Sequence, residues 1–279
     1  MTLLYTPSPP LNAYIDGFYY LDGLMPYPRE KIMPDSWLDL KINLGSTIHA
    51  YQADQTEPFM ICSDSWWVGL WDTYHIVDWP PDMQCIGVSF KPGGAYPFLQ
   101  IPLFELHNQV VSLDTIWGQF AAEMRERLLD VPTIQERFAL LEQLLLSRLC
   151  ASFEGLTAIQ YALTQIAQQH GTLSIRALSD HMGMSQNHLS TQFKRLVGGT
   201  PKDLARLYRF KHVLKSINPT RPIDWTQVAH QSCYYDQSHF NKDFMAFTGH
   251  TPTEYLRLRQ QVFTQNPQHA QYLRELPID

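Results

Sequence analysis

Ser238, His239, Asn241 and Lys242 fall within one short stretch of the chain, and Asn187, Ser190, Thr191, Lys194 and Arg195 fall within another. All carry hydrogen-bonding or cationic groups, and none adds much to an apolar core. Groups of this kind can read base-pair edges. An asparagine bonds adenine at two points and a lysine suits guanine, each pairing discriminating by about 1–3 kcal/mol. Gln186 heads the first cluster and Gln237 the second, 51 residues further on. A solvated helix face would show the same residue types, so the elements that present them decide between the two readings.

Those elements can be read from caps and apolar spacing. Leu156 to His170 is predicted as a helix with Ile159, Ala162, Leu163 and Ile166 inward, ended by Gly171. Ser174 caps a short helix from Ile175 to about Met182, and Gly183 permits a turn. Ser185 then caps Gln186 to Leu196, with Leu189, Phe193 and Leu196 facing the core. Pro201 suits the start of a long helix to about Ile217, buried through Leu204, Leu207, Tyr208 and Val213. Asp224 and Trp225 open the next helix. A turn around Cys233–Tyr235 leads into the second polar helix, closed by Gly249, Thr251 and Pro252.

The pattern is a helix-turn-helix, a connecting helix and a second helix-turn-helix. A connecting helix of roughly 16 residues is about 24 Å long, and neighbouring major-groove faces lie about 34 Å apart. With the width of the flanking helices, one subunit could therefore read two successive turns of double-stranded DNA. Arg195, Lys202, Arg209 and Lys211 suit phosphates or intradomain pairs, Arg209 being foremost a structural ion pair.

Charge divides the chain at the same place. Residues 1–154 hold 8 Lys and Arg against 19 Asp and Glu, whereas residues 155–279 hold 13 against 8, so the net −6 splits into −11 and +5. The basic half can approach phosphates and the acidic half cannot. Within the acidic half, residues 1–110 read as β. Short apolar or alternating runs at Leu38–Leu44, Ile48–Tyr51, Phe59–Cys62, Trp66–Leu70, Tyr74–Val77 and Cys85–Phe90 suggest a barrel or sandwich. Pro26, Pro28 and Pro34 exclude a long early helix. Trp37, Trp66, Trp71, Tyr74 and Phe90 are candidates to line an effector pocket, although ordinary barrel core is the commoner role for any single one of them.

His49, His75 and His107, with Asp72 or Glu105, are too scattered to specify a metal, so no metal or cofactor is expected. The glycines of Lys91-Pro92-Gly93-Gly94-Ala95 read as a tight turn, since no phosphate-loop motif surrounds them.

From Ser112 the period becomes helical. Leu113, Ile116, Trp117, Phe120, Met124 and Leu128 mark one helix; Thr133 and Glu136 form a capping box for a second, running to about Cys150. The second helix has an apolar stripe wide enough to pack on the barrel and also on a second subunit, so the stripe serves either an intramolecular core alone or a homodimer through residues 112–150. Ala151 to Gly155 reads as a linker.

No run of about 18 apolar residues suggests a membrane span, Met1–Pro10 lacks a secretory pattern, and Cys62, Cys85, Cys150 and Cys233 lie far apart. Those features fit reduced thiols in a cytoplasmic protein.

Residues 155–258 resemble the DNA-binding domain of the AraC/XylS family of bacterial transcription regulators. The resemblance rests on Gly183-x-Ser185, Leu189-x-x-x-Phe193-Lys194, Gly199-Thr200-Pro201, Arg209 and Val228-Ala229. It is strongest at Asp236-Gln237-Ser238-His239-Phe240-x-Lys242-x-Phe244 and Gly249-x-Thr251-Pro252-x-x-Tyr255. Where the family usually has Gly-Phe, this chain has Cys233-Tyr234, which requires an allowed φ or a small strain. The front half more loosely resembles the family's cupin-like sensory domains, through Pro34-Asp35 and Phe90-x-Pro92-Gly93-Gly94-Ala95.

The resemblance implies an α+β chain with a cupin-like sensory and dimerisation domain over 1–150. A DNA-binding domain over 155–258 and a tail over 259–279 follow. It also implies a small-molecule effector and, for an activator, contact with RNA polymerase. It places Asn187, Ser190 and Thr191, flanked by Gln186 and Lys194, and Ser238, His239 and Lys242, beside Gln237 and Asn241, at base-facing positions. Three rivals stand beside this reading: a cupin-type metalloenzyme, a repair protein using a reactive thiol, and an RNA- or protein-binding module.

Overall fold

The computed structural model describes residues 2–53, 55–150, 155–265 and 275–278. The front half is built on antiparallel strands: β1 (Thr2–Tyr5), β2 (Ile15–Asp22), β3 (Arg29–Ile32), β4 (Leu38–Asn43), β5 (Ile48–Gln52), β6 (Met60–Cys62), β7 (Ser65–Val68), β8 (His75–Asp78), β9 (Gln84–Phe90) and β10 (Val110–Ser112). They form one six-stranded sheet ordered β1-β2-β9-β4-β7-β10. In the second sheet, β3-β8-β5-β6 are joined at the β3 edge by β11 (Glu275–Pro277). The six strand runs read from the sequence all appear. The strands with weaker alternation, β1, β2, β3, β10 and β11, do not stand out in the sequence.

The first sheet separates two environments. On β4, Leu38, Leu40 and Ile42 are essentially inaccessible and join the main core, while Asp39 and Lys41 alternate to the opposite face. The core face is covered by helices: α1 (Tyr96–Leu99), α2 (Leu113–Trp117), α3 (Gln119–Asp130) and α4 (Ile134–Arg148). The single helix expected from Leu113 to Leu128 is instead two, because Gly118 takes a non-helical φ of 56° and ψ of −139°. Thr133 caps α4, accepting from the backbone of Glu136 as the sequence predicts. Most of the wide stripe is used within the chain, through Phe138, Leu141, Leu144 and Leu145; Leu129 and Leu146 are left exposed.

The back half contains α5 (Leu156–Gln168), α6 (Ile175–His181), α7 (Gln186–Leu196), α8 (Pro201–Ser216), α9 (Trp225–Gln231), α10 (Gln237–Thr248) and α11 (Pro252–Gln265). The predicted boundaries agree within a residue or two. Of the predicted linker, residues 151–154 lie outside the described residues. The two halves do not keep separate cores. One buried cluster runs from Phe90 and Phe98 through Leu103 and Leu196 to Phe210 and Phe244. Past α11, β11 returns to pair with β3, Leu276 opposite Lys31 and fully buried, so the predicted tail contributes to the front half's sheet.

Candidate nucleic-acid interface

Each polar helix is held by its N-cap and its apolar back. Ser185 accepts from the His188 backbone N–H at 3.2 Å, and Leu189, Phe193 and Leu196 anchor α7. Asp236 accepts from the His239 N–H at 2.7 Å, while Phe240, Phe244 and Phe247 anchor α10. Thr200 and Asp203 form a reciprocal capping box at the start of α8. The 16 residues of α8 connect the two helix-turn-helix units. Arg206 on α8 reaches Asp243 on α10 at 2.7 Å, and its guanidinium also lies over Phe247. This pair locks α10 to the connecting helix. Arg209, the expected ion-pair residue, instead lies 5.1 Å over the Tyr234 ring.

These anchors leave the predicted reading surfaces outward. Gln186, Asn187 and Thr191 on α7, and Gln237, Ser238, His239, Asn241 and Lys242 on α10, are exposed; Ser190 is half-buried. Thr191 donates its hydroxyl to the Asn187 carbonyl at 2.9 Å, so it keeps only acceptor capacity for a partner. His239 leans back on its own helix, 3.9 Å from Asp243. Sequence reading missed two neighbours: His188, exposed among these residues, and Tyr235, 93% exposed at the turn into α10. An aromatic outside any apolar period was the available signal for Tyr235.

The two turns reach similar geometry with different residues. Gly183 before α7 has φ 65°, and Cys233 before α10 has φ 55°. The strain suspected at Cys233 is therefore present as a left-handed backbone that a side chain disfavours.

Several basic residues assigned to DNA or intradomain pairs meet the front half instead. Arg195 donates from Nε to the Tyr96 hydroxyl at 3.0 Å, and the Lys194 ammonium lies 5.1 Å from the Phe104 ring centroid. Lys211 pairs with buried Asp35 and lies over Trp37, which removes it from phosphate binding in this arrangement. His107 bridges the halves: Nε2 lies 3.3 Å from Asp72, and Nδ1 lies 3.1 Å from the Gly198 carbonyl just past α7. The hydrogen bond with Asp72 raises the imidazole pKa against the lowering effect of burial. His107 is thus an interdomain contact. Among the described residues no three His, Cys, Asp or Glu side chains cluster as metal ligands. Burial pushes the Cys62 and Cys85 thiols up to about 12 and about 11, the opposite of what a reactive thiol needs.

Between the two sheets lies a partly open cavity of about 650 Å³. Trp37 and Trp71 line it, together with Trp79, Tyr19, Asp39, Lys41 and Ser89. The other predicted pocket aromatics are elsewhere: Phe90 is in the main core, Trp66 in a smaller core beside Cys62 and Cys85, and Tyr74 against Gly249 under Lys31.

The back half thus holds two helix-turn-helix units, each with an outward polar helix. Comparison with known proteins agrees. Residues 178–258 match a family model described as a helix-turn-helix domain, and residues 4–112 match a domain of unknown function, DUF6597. The matched helix-turn-helix domain is of the AraC type.

Uncharacterized HTH-type transcriptional regulators of Staphylococcus aureus strains MSSA476 and MRSA252 are 30% identical over 103 residues, 37% of this chain. The match spans only 14% of those relatives' length. Among solved structures, ToxT from Vibrio cholerae O395 is 10% identical with a TM-score of 0.42, covering 85% of this chain and 97% of that one. The AraC-like transcriptional activator CuxR is 12% identical with a TM-score of 0.24, covering 77% and 85%. Among the described residues, no helix is long and apolar enough to cross a membrane.

Proposed function

We propose that the chain is a sequence-specific regulator of transcription in the bacterial cytoplasm. Each subunit reads two adjacent major-groove segments of double-stranded DNA through α7 and α10, and a small molecule in the front-half cavity modulates the binding. The observation that carries the DNA reading is the pair of exposed polar helices fixed on one rigid unit: capped at their N-termini, anchored by phenylalanines and leucines, and joined by α8. At 16 residues α8 is about 24 Å long, which with its flanking helices suits successive grooves about 34 Å apart.

Asn187, Ser190 and Thr191 on α7, and Ser238, His239 and Lys242 on α10, would contact base edges. Gln186, Gln237 and Asn241 would flank them, and Lys202 would meet a phosphate. Lys194 and Arg195 can join only by leaving Phe104 and Tyr96. A homodimer through residues 112–150, and polymerase contact if the protein activates, belong to the same proposal. The exposed apolar residues Leu129 and Leu146 support the dimer.

Duplexes selected from a random pool provide the test. Lys242→Ala should cost about 1–3 kcal/mol and relax preference at one base position, while Lys202→Ala should weaken all duplexes alike and lower the salt slope by about one. Unchanged selection and affinity in both variants would remove the assignment.

A further inference from the structure

The cavity has a polar floor built by strand register. Asp39 on β4 lies opposite Ser89 on β9, while Lys41 on β4 and Tyr19 on β2 both lie opposite Gly87. A Cβ at Gly87 would fall 1.9 Å from the Tyr19 ring, so the missing side chain lets the ring lie across β9 and reach Lys41. The Lys41 ammonium donates to the Tyr19 hydroxyl at 2.6 Å, and that hydroxyl donates to Asp39 at 3.1 Å. Ser89 donates to the second Asp39 oxygen at 2.8 Å. Both carboxylate oxygens are therefore engaged. Lys41 has three donors, and its described contacts are the one hydrogen bond to Tyr19 and the Asp39 carboxylate at 3.8 Å.

The walls are apolar and flat: Trp37, Trp71 and Trp79, with Met25, Ile32 and Val77. Charge narrows what can enter. The charges of the lining are already matched: the Asp39 carboxylate lies 3.8 Å from the Lys41 ammonium, and Asp35 pairs with Lys211. An anionic head group would bury a further negative charge there. A cationic one would meet the Lys41 ammonium, whose charge Asp39 already offsets. A neutral acceptor such as a carbonyl oxygen can take a donor of Lys41 without adding charge.

We propose that this cavity binds an uncharged, flat, largely apolar molecule bearing a carbonyl-type acceptor, seated on the Lys41 ammonium between the tryptophans. The inference rests on the effector reading of the same cavity and names its ligand class. The volume suits a ligand of two or three fused rings, since such pockets commonly hold about 300–1,000 Å³.

Calorimetric titration of the full chain at neutral pH with fluorenone, its carboxylate analogue and its ammonium analogue tests the class. Fluorenone should bind one to one, about tenfold or more tighter than either charged analogue. Lys41→Met should weaken it about tenfold, the factor expected for one hydrogen bond to a charged donor. Because Lys41→Met leaves Asp39 buried beside an apolar side chain, the paired variant Asp39→Asn/Lys41→Met, which removes both charges, should give the same loss in a floor that still folds. Tightest binding by a charged analogue, or fluorenone binding that survives in the paired variant, overturns the ligand class and leaves the cavity as a binding site. No heat with any of the three, and no displacement of a bound environment-sensitive dye by any of them, overturns the class and the effector reading together. DNA binding by the same preparation stands apart from both results.

Discussion

Replacing Cys233 by glycine should stabilise the second helix-turn-helix. Cys233 has φ 55° and an exposed side chain, so its Cβ incurs the left-handed penalty while contributing little packing. That penalty is about 1–2 kcal/mol, and the extra freedom of glycine in the unfolded chain returns about 0.5–1 kcal/mol of it. A net gain of about 0.5–1 kcal/mol follows, which for a chain of this size raises the melting temperature by roughly 1–4 °C. Thermal unfolding followed by circular dichroism, with urea midpoints as a second measure, would report it. Cys233→Ala is the control, because alanine keeps the Cβ and should stay within about 0.5 kcal/mol of wild type. The hydrogen bonds that close the turn, from Cys233 N–H to His230 O and Tyr234 N–H to Ala229 O, are available to either residue. The backbone reasoning is refuted if alanine gains as much as glycine, or if glycine destabilises.

Two further outcomes follow from contacts outside the reading helices. Gly87→Ala should cost about 2–3 kcal/mol by driving its Cβ into the Tyr19 ring and breaking the Lys41 contact; Tyr19→Ala in the same chain should recover part of that loss, and simple additivity in the double variant would refute the steric account. His107 has a folded pKa raised by Asp72 above its ordinary value of 6.5. Its bridge between Asp72 and Gly198 therefore contributes stability fully present below about 6.5 and lost as pH climbs through the raised value. His107→Gln should flatten that part of the pH profile in urea midpoints, and an unaltered profile would show that the bridge contributes nothing.

The helical half was legible because its signals are local. Ser185, Thr200, Asp224 and Asp236 cap the helices that follow them, and three-to-four-residue apolar spacing marks the buried faces. The exposed side chains of α7 and α10 were legible for the complementary reason, being polar where a core helix would be apolar. Strand runs with strong β content were visible too. The alternation of Asp39 and Lys41 was not, because charged residues on an inward face look like an exposed face in sequence. Their meaning appears only once β2 and β9 bring Tyr19 and Ser89 into register with them.

Long-range pairing also explains the residues whose roles changed. Lys211 and Asp35 are 176 positions apart, and no local pattern could link them. A lysine on a basic domain reads as a phosphate contact until a buried carboxylate is found beside it. Arg195 on Tyr96 and Lys194 on Phe104 extend the same logic: the acidic front half engages cations on α7. Contacts of that kind cannot be made to DNA and to the front half at once by the same atoms. On α10 there is no such conflict at Lys242, which is exposed and has no described ion pair. The two helices, so similar in sequence terms, are therefore inequivalent in this arrangement: α10 presents its cation to solvent, and α7 must exchange partners to present its own.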